Sequence, residues 1–197
     1  MAEILLFHHV LGLTDGVREF ADDLRAGGHT VHVSDLFEGR TYPSIEDGFA
    51  YVEALGDGVV EERVARAVEG LPAQLVYAGI SLGAMSAMRL AVTRPGAVGL
   101  VMLESALPIV GDWAFGTFPD AVRVQIHGAE GDPFFQEDLP FAEETVTILG
   151  PARAELYLYP GDRHLFTDRS LPSHDADAAA LVVERVLAFL DRVDESR

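Results

Sequence analysis

Tyr77-Ala78-Gly79-Ile80-Ser81-Leu82-Gly83-Ala84 decides how this chain is read, because a strand-like apolar run ends in Gly-x-Ser-x-Gly and passes directly into a helical pattern. The run before it, Gln74-Leu75-Val76-Tyr77-Ala78, suits a buried strand, and Ala84-Met85-Ser86-Ala87-Met88-Arg89-Leu90-Ala91 after it contains good helix formers. A strand-to-helix turn this tight strains its central residue, and glycines two positions to either side let strand and helix pass without colliding side chains. Ser81 Oγ would then stand exposed beside the Leu82 N–H and the positive end of the following helix, where a hydroxyl can become a nucleophile. In so glycine-rich a chain the five-residue pattern alone is only suggestive, with about 0.07 chance occurrences expected. The strand before it and the helix after it carry the weight.

Outward from this turn, apolar extended stretches alternate with longer amphipathic ones, as in a parallel sheet covered by helices. Strands are expected over residues 3–9, 30–35, 74–80, 99–103, 122–127 and 155–159, and helices over 15–26, 45–55, 59–69, 82–93, 139–150 and 175–191. The fold class is therefore α/β, a doubly wound, mostly parallel sheet of about six strands flanked by helices. Thr14 and Asp15 suit the start of the first helix, and Gly27-Gly28 its end. Ligands collect at the carboxyl edge of such a sheet where the winding reverses, so the loop after the first strand should face the Ser81 turn.

Composition narrows the chemistry. A length of 197 residues, 49% of them hydrophobic, suits one domain over residues 1–197. No transmembrane run or basic-headed signal peptide is evident, so a cytoplasmic protein is expected. The net charge of −18 repels phosphate backbones and anionic lipids, which argues against nucleic-acid and membrane partners. The absence of Cys removes thiol nucleophiles and disulfides, and the absence of Lys removes Schiff-base chemistry and Walker-type phosphate loops.

A serine nucleophile needs a general base, and the base needs an orienting acid. Of seven histidines, His29 and His32 sit at or in the second strand and His174 before the last helix, positions that suit solvated, satisfied or capping roles. His127, near a strand end, is a lesser candidate for lining the site. His164 follows the last strand in the turn-rich Tyr159-Pro160-Gly161-Asp162-Arg163, where a loop can aim an imidazole over the carboxyl edge. Asp132, in Gly128-Ala129-Glu130-Gly131-Asp132-Pro133, is the candidate acid, with Glu130 and Asp162 as substitutes. The loop after the first strand would complete an oxyanion hole through the Val10 and Leu82 N–H groups.

Together HHVLGLTDGVREFADDLRAGGHTVHVSDLF, GISLG, HGAEGDPFF and GDRHLFTDRSLPSHDADAAALVVERVLAFL, in that order, resemble the dienelactone hydrolase family. The resemblance implies a small, lidless α/β-hydrolase without metal or other cofactor. Its triad would fall on Ser81, Asp132 and His164 and its oxyanion loop on His9-Val10, and it would cleave small esters, lactones or thioesters through an acyl-enzyme. Two departures stand out: Ser81 replaces the cysteine of the best-known members, and His9 replaces a glutamate tied to activating that thiol. Further candidates for contacting substrate are His9, Arg163 and Arg169, the arginines for an anionic group, and Trp113 in an aromatic loop with Phe115 and Phe118. The expected partner is a small-molecule substrate, and the expected state a monomer or homodimer. Two alternatives remain: a metal-dependent hydrolase built on His8, His9, His127, His164 and Asp132, and an inactive hydrolase-like fold kept for binding or interaction.

Overall fold

Short apolar runs with residues suited to both faces of a pleated sheet become strands, and the amphipathic stretches between most of them become covering helices. The computed structural model describes residues 1–56 and 58–195. Its elements run β1 (Glu3–Phe7), α1 (Asp15–Ala26), β2 (Thr30–Ser34), α2 (Ile45–Leu55), α3 (Val59–Ala67), β3 (Val76–Ile80), α4 (Leu82–Thr93), β4 (Gly99–Leu103), β5 (Arg123–Ala129), α5 (Pro133–Leu149), β6 (Ala154–Tyr159) and α6 (Ala176–Glu195). The strands form one parallel sheet in the order β2-β1-β3-β4-β5-β6.

Because side chains alternate along a strand, each central strand feeds two cores. Ile4, Leu6, Val76, Ala78 and Val101 meet α1 and α6 on one face, through Phe20, Leu24, Val182 and Phe189. Leu5, Phe7, Tyr77, Leu100 and Met102 meet α3, α4 and α5 on the other, through Val64, Met88 and Phe135. The chain goes from β1 outward to β2 and then returns past β1 to β3, so the winding reverses between β1 and β3. Phe7 and Gly79 are paired there, just below the carboxyl edge.

Helices α1, α2 and α4 and strand β4 have the bounds that the sequence suggests. Thr14 caps α1, its hydroxyl accepting from the Val17 N–H. The largest difference is α5, which begins at Pro133 rather than 139. Asp132 caps it and Pro133 fills a first-turn position that needs no N–H, whereas Pro140, which reads as a start signal, lies inside the helix. Strand β1 ends at Phe7 before His8 and His9, β5 continues past His127 to Ala129, and α6 runs on to Glu195. Among the described residues no helix is long and apolar enough to cross a membrane.

Candidate active site

The elbow is built by close approach of backbone to backbone. A Cβ on Gly79 would collide with the Gly83 carbonyl, and one on Gly83 would lie 2.5 Å from Phe7 O and 2.6 Å from His8 O. No side chain larger than hydrogen fits at either position, which is why the two glycines flank the serine. Ser81 itself has φ 49° and ψ −116°, strained for a residue with a side chain. Its N–H donates to Leu103 O at 2.7 Å, tying the turn to the end of β4. The same close approach sets α4 against the loop after β1, as the winding reversal requires.

Ser81 Oγ lies 2.8 Å from His164 Nε2, and His164 Nδ1 lies 2.6 Å from Asp132 Oδ2. With Asp132 accepting, Nδ1 carries the proton and Nε2 is free to accept from the serine hydroxyl. Three loops supply the three groups: the β3–α4 turn, the start of α5, and the loop after β6. Asp132 is wholly buried, and its other oxygen accepts the Phe134 N–H at 3.0 Å as the cap of α5. One carboxylate therefore anchors both a helix and an imidazole. The Phe134 ring packs on that imidazole, with centroids 4.6 Å apart. The His164 loop is joined to the acid loop by Gly131 N–H to Gly161 O at 2.7 Å and Glu130 N–H to Tyr159 O at 2.8 Å.

Beside the serine, the first turn of α4 has no side-chain cap. Among the described residues neither the Leu82 nor the Val10 N–H donates to a protein acceptor. Both are available for a developing oxyanion, as the sequence suggests.

The other histidines serve different ends. His8 donates from Nδ1 to His9 O and accepts the Leu36 N–H at Nε2, and burial lowers its pKa to about 4. His9 is fully buried and does not face a substrate: Nδ1 accepts from the Leu11 N–H, and Nε2 donates to Asp168 Oδ2 at 2.8 Å. Asp168 also accepts from Thr14 Oγ1, Ser170 N and Ser170 Oγ. Burial alone would raise its pKa, but the hydrogen bonds from His9, Ser170 and Thr14 outweigh this and bring it to about 2. The network pins the oxyanion loop to the loop that carries His164. His127 lies below the site, bound to Tyr159 and Gln125, and burial lowers its pKa to about 3. His32 pairs with Glu3, His29 accepts from the Ala2 N–H, and His174 bonds to Phe166 O.

The remaining candidates do not converge on Ser81. Trp113 is 86% exposed, while Phe115 and Phe118 pack against the α4–α5 core. Arg163 donates to Pro172 O and Arg169 to Asp23 on α1. Among the described residues no group of three or more His, Cys, Asp or Glu side chains is placed to hold a metal ion, so the set His8, His9, His127, His164 and Asp132 is not gathered into one.

Three residues at the site escape sequence reasoning. Phe134 and Asp168 act only through side chains brought to them by distant segments. Glu104 stands at the end of β4, and its one visible signal is a charge placed directly after the apolar run Gly99–Leu103.

Comparison with known proteins agrees with this architecture. Residues 120–194 match the model of the dienelactone hydrolase family, a span that includes Asp132 and His164 but not the elbow. No curated protein matches the chain by sequence. Among solved structures, a dienelactone hydrolase-like promiscuous phosphotriesterase from metagenomic libraries is similar at TM-score 0.76 and 16% identity, covering 98% of this chain and 87% of its own. Carboxyl esterase 2 from the mycorrhizal fungus Tuber melanosporum is similar at TM-score 0.68 and 15% identity, covering 98% and 77%. An α/β-hydrolase from a Medee basin deep-sea metagenome is similar at TM-score 0.61 and 18% identity, covering 98% and 84%. At such identities the likeness is one of fold. The chain has the α/β-hydrolase fold and resembles the dienelactone hydrolase family, whose sequence pattern it carries over residues 120–194.

Proposed function

We propose that this protein is a serine hydrolase of small esters, lactones or thioesters, formed as one domain and working in the cytoplasm as a monomer or homodimer. The observation that carries the reading is the continuous hydrogen-bonded chain Ser81–His164–Asp132, 2.8 Å and 2.6 Å, mounted on a strained elbow. His164 Nε2 takes the hydroxyl proton as Ser81 Oγ attacks the carbonyl carbon, and Asp132 holds the resulting imidazolium by its Nδ1–H. The negative charge passes to the carbonyl oxygen, where the Val10 and Leu82 N–H groups receive it. Collapse expels the alcohol or thiol, which takes the proton from His164 and leaves an ester on Ser81. Water, deprotonated by His164, then releases the acid and restores the serine.

Arg163 and Arg169 already donate to Pro172 and Asp23, so this reading does not use them to hold an anionic group. His9 acts through the oxyanion loop rather than on substrate. The test is turnover of a chromogenic acyl ester by wild type and Ser81→Ala. Removal of a triad nucleophile in other enzymes costs up to about 10⁶ in rate. Turnover that survives Ser81→Ala in a folded protein would end the proposal.

A further inference from the structure

We propose that Glu104 is a positioning residue for His164: a second buried carboxylate, besides Asp132, whose charge faces the imidazole and favours its protonated form during acyl transfer. This deepens the hydrolase reading and rests on it. Ile80 pairs with Leu103 in the sheet, and the Ser81 N–H donates to Leu103 O. Glu104 is therefore the residue beside the nucleophile at the carboxyl edge. Its backbone shares the serine's unusual state, with φ 59° for a residue that is not glycine, and its N–H is held by His127 O at 2.7 Å.

The side chain is 1% exposed and only half satisfied. Oε1 accepts both the Thr167 N–H, at 2.9 Å, and the Thr167 hydroxyl, at 2.8 Å. Oε2 is buried with no hydrogen-bond partner among the described residues. If its only task were to hold the Thr167 segment, a glutamine carbonyl would do so without burying a charge. Burial pushes the carboxyl pKa up, and the positive charge that His164 can carry opposes this most strongly, ahead of the Thr167 bonds and His9. His9 Nδ1 accepts the Leu11 N–H and so carries no proton in this arrangement. That leaves His164 as the neighbour that gains charge when it takes the serine proton. His164 is faced by Asp132 and Asp138 from α5 and by Glu104 from β4; Glu104 is faced by His164, Thr167 and His9, the last bound to Asp168. Asp132 supplies the bond to Nδ1, and Glu104 supplies field.

The test compares Glu104→Gln, which keeps an acceptor for Thr167 and loses the charge, with Glu104→Asp, which keeps the charge on a shorter arm. The His164 pKa is read by NMR titration of its ring protons, alongside the pH profile of kcat/KM on a chromogenic ester. Glu104→Gln should lower the His164 pKa by about one unit, move the acid limb of the profile down equally, and slow the plateau about tenfold. Glu104→Asp should keep the wild-type titration. Unchanged titration in folded Glu104→Gln, or equal shifts in both variants, would overturn the proposal. So would a Glu104→Gln protein that cannot fold, because a neutral isostere relieves a buried charge. The titration does not depend on turnover. A wild type inert to esters whose His164 still shifts would remove the hydrolase reading and leave the coupling, whereas an active wild type without the shift would remove only the role of Glu104.

Discussion

Replacing Asp132 by asparagine separates the two tasks of one carboxylate. Oδ1 caps α5 through the Phe134 N–H, and Oδ2 accepts from His164 Nδ1. Asparagine is as good a cap as aspartate, so Asp132→Asn should keep α5, provided that its carbonyl stays on Phe134. The amide NH₂ then faces Nδ1–H, donor against donor. His164 escapes by moving its proton to Nε2, where it meets Ser81 Oγ and can no longer accept from it. In a well-studied triad enzyme the same exchange costs about 10⁴ in kcat, which corresponds to about 5 kcal/mol of barrier. The reverse amide orientation spares the tautomer but sets an NH₂ against the Phe134 N–H, which moves the cost into stability. Asp132→Ala loses both tasks and should be about 1 kcal/mol less stable than Asp132→Asn from the missing cap alone. Steady-state hydrolysis of p-nitrophenyl acetate gives the rate, and urea unfolding monitored by circular dichroism gives the stability. An Asp132→Asn enzyme that is as stable as wild type and within about tenfold of its turnover would refute the tautomer reasoning, since one decade is only about 1.4 kcal/mol.

Three further outcomes follow from the same geometry. Asp168 titrates at about 2 in the folded protein, below the value of about 3.9 for unfolded aspartate, so its contribution is full above about pH 4 and is lost as pH falls toward 2. Urea titrations of wild type and Asp168→Asn should converge as pH falls through that window; a constant gap would contradict the assignment. His8 and His127, lowered to about 4 and about 3 by burial, stabilise fully above the unfolded value of about 6.5 and lose this as acid charges the unfolded chain. Wild-type unfolding midpoints should therefore already fall between about pH 6.5 and 4, and midpoints flat over that range would count against buried neutral imidazoles. Ser81→Gly should abolish turnover yet stabilise the fold by about 1 kcal/mol, because glycine relieves the strained elbow. Gly83→Ala, whose methyl would meet Phe7 O and His8 O, should destabilise by about 3 kcal/mol in urea.

Local patterns made much of this protein legible before its coordinates. The elbow could be read because a buried strand, two glycines and a helix lie within one short segment, and the winding rule put the β1 loop opposite it. His164 and Asp132 could be read as candidates because loops after parallel strands share one edge. What escaped depends on contacts between segments far apart. The start of α5 is obscured because Pro133 and Pro140 give the same local signal, and only the Asp132 cap separates them. His127 looks like a strand-end residue but lies inside β5, where Gln125 and Tyr159 absorb both ring nitrogens. His9 looks like a substrate contact but is consumed by Asp168, 159 residues later in the chain. Glu104 gave no pattern at all, since a lone charge after a strand acquires meaning only beside Ser81 and Thr167.

The most direct measurement is intact-mass and peptide mapping of the folded protein after exposure to a fluorophosphonate probe. A single adduct on Ser81, formed rapidly by wild type and lost in His164→Ala, is the predicted result. A folded wild type that takes up no probe, or labels at a residue other than Ser81, would contradict the claim that Ser81, His164 and Asp132 form a working nucleophilic site.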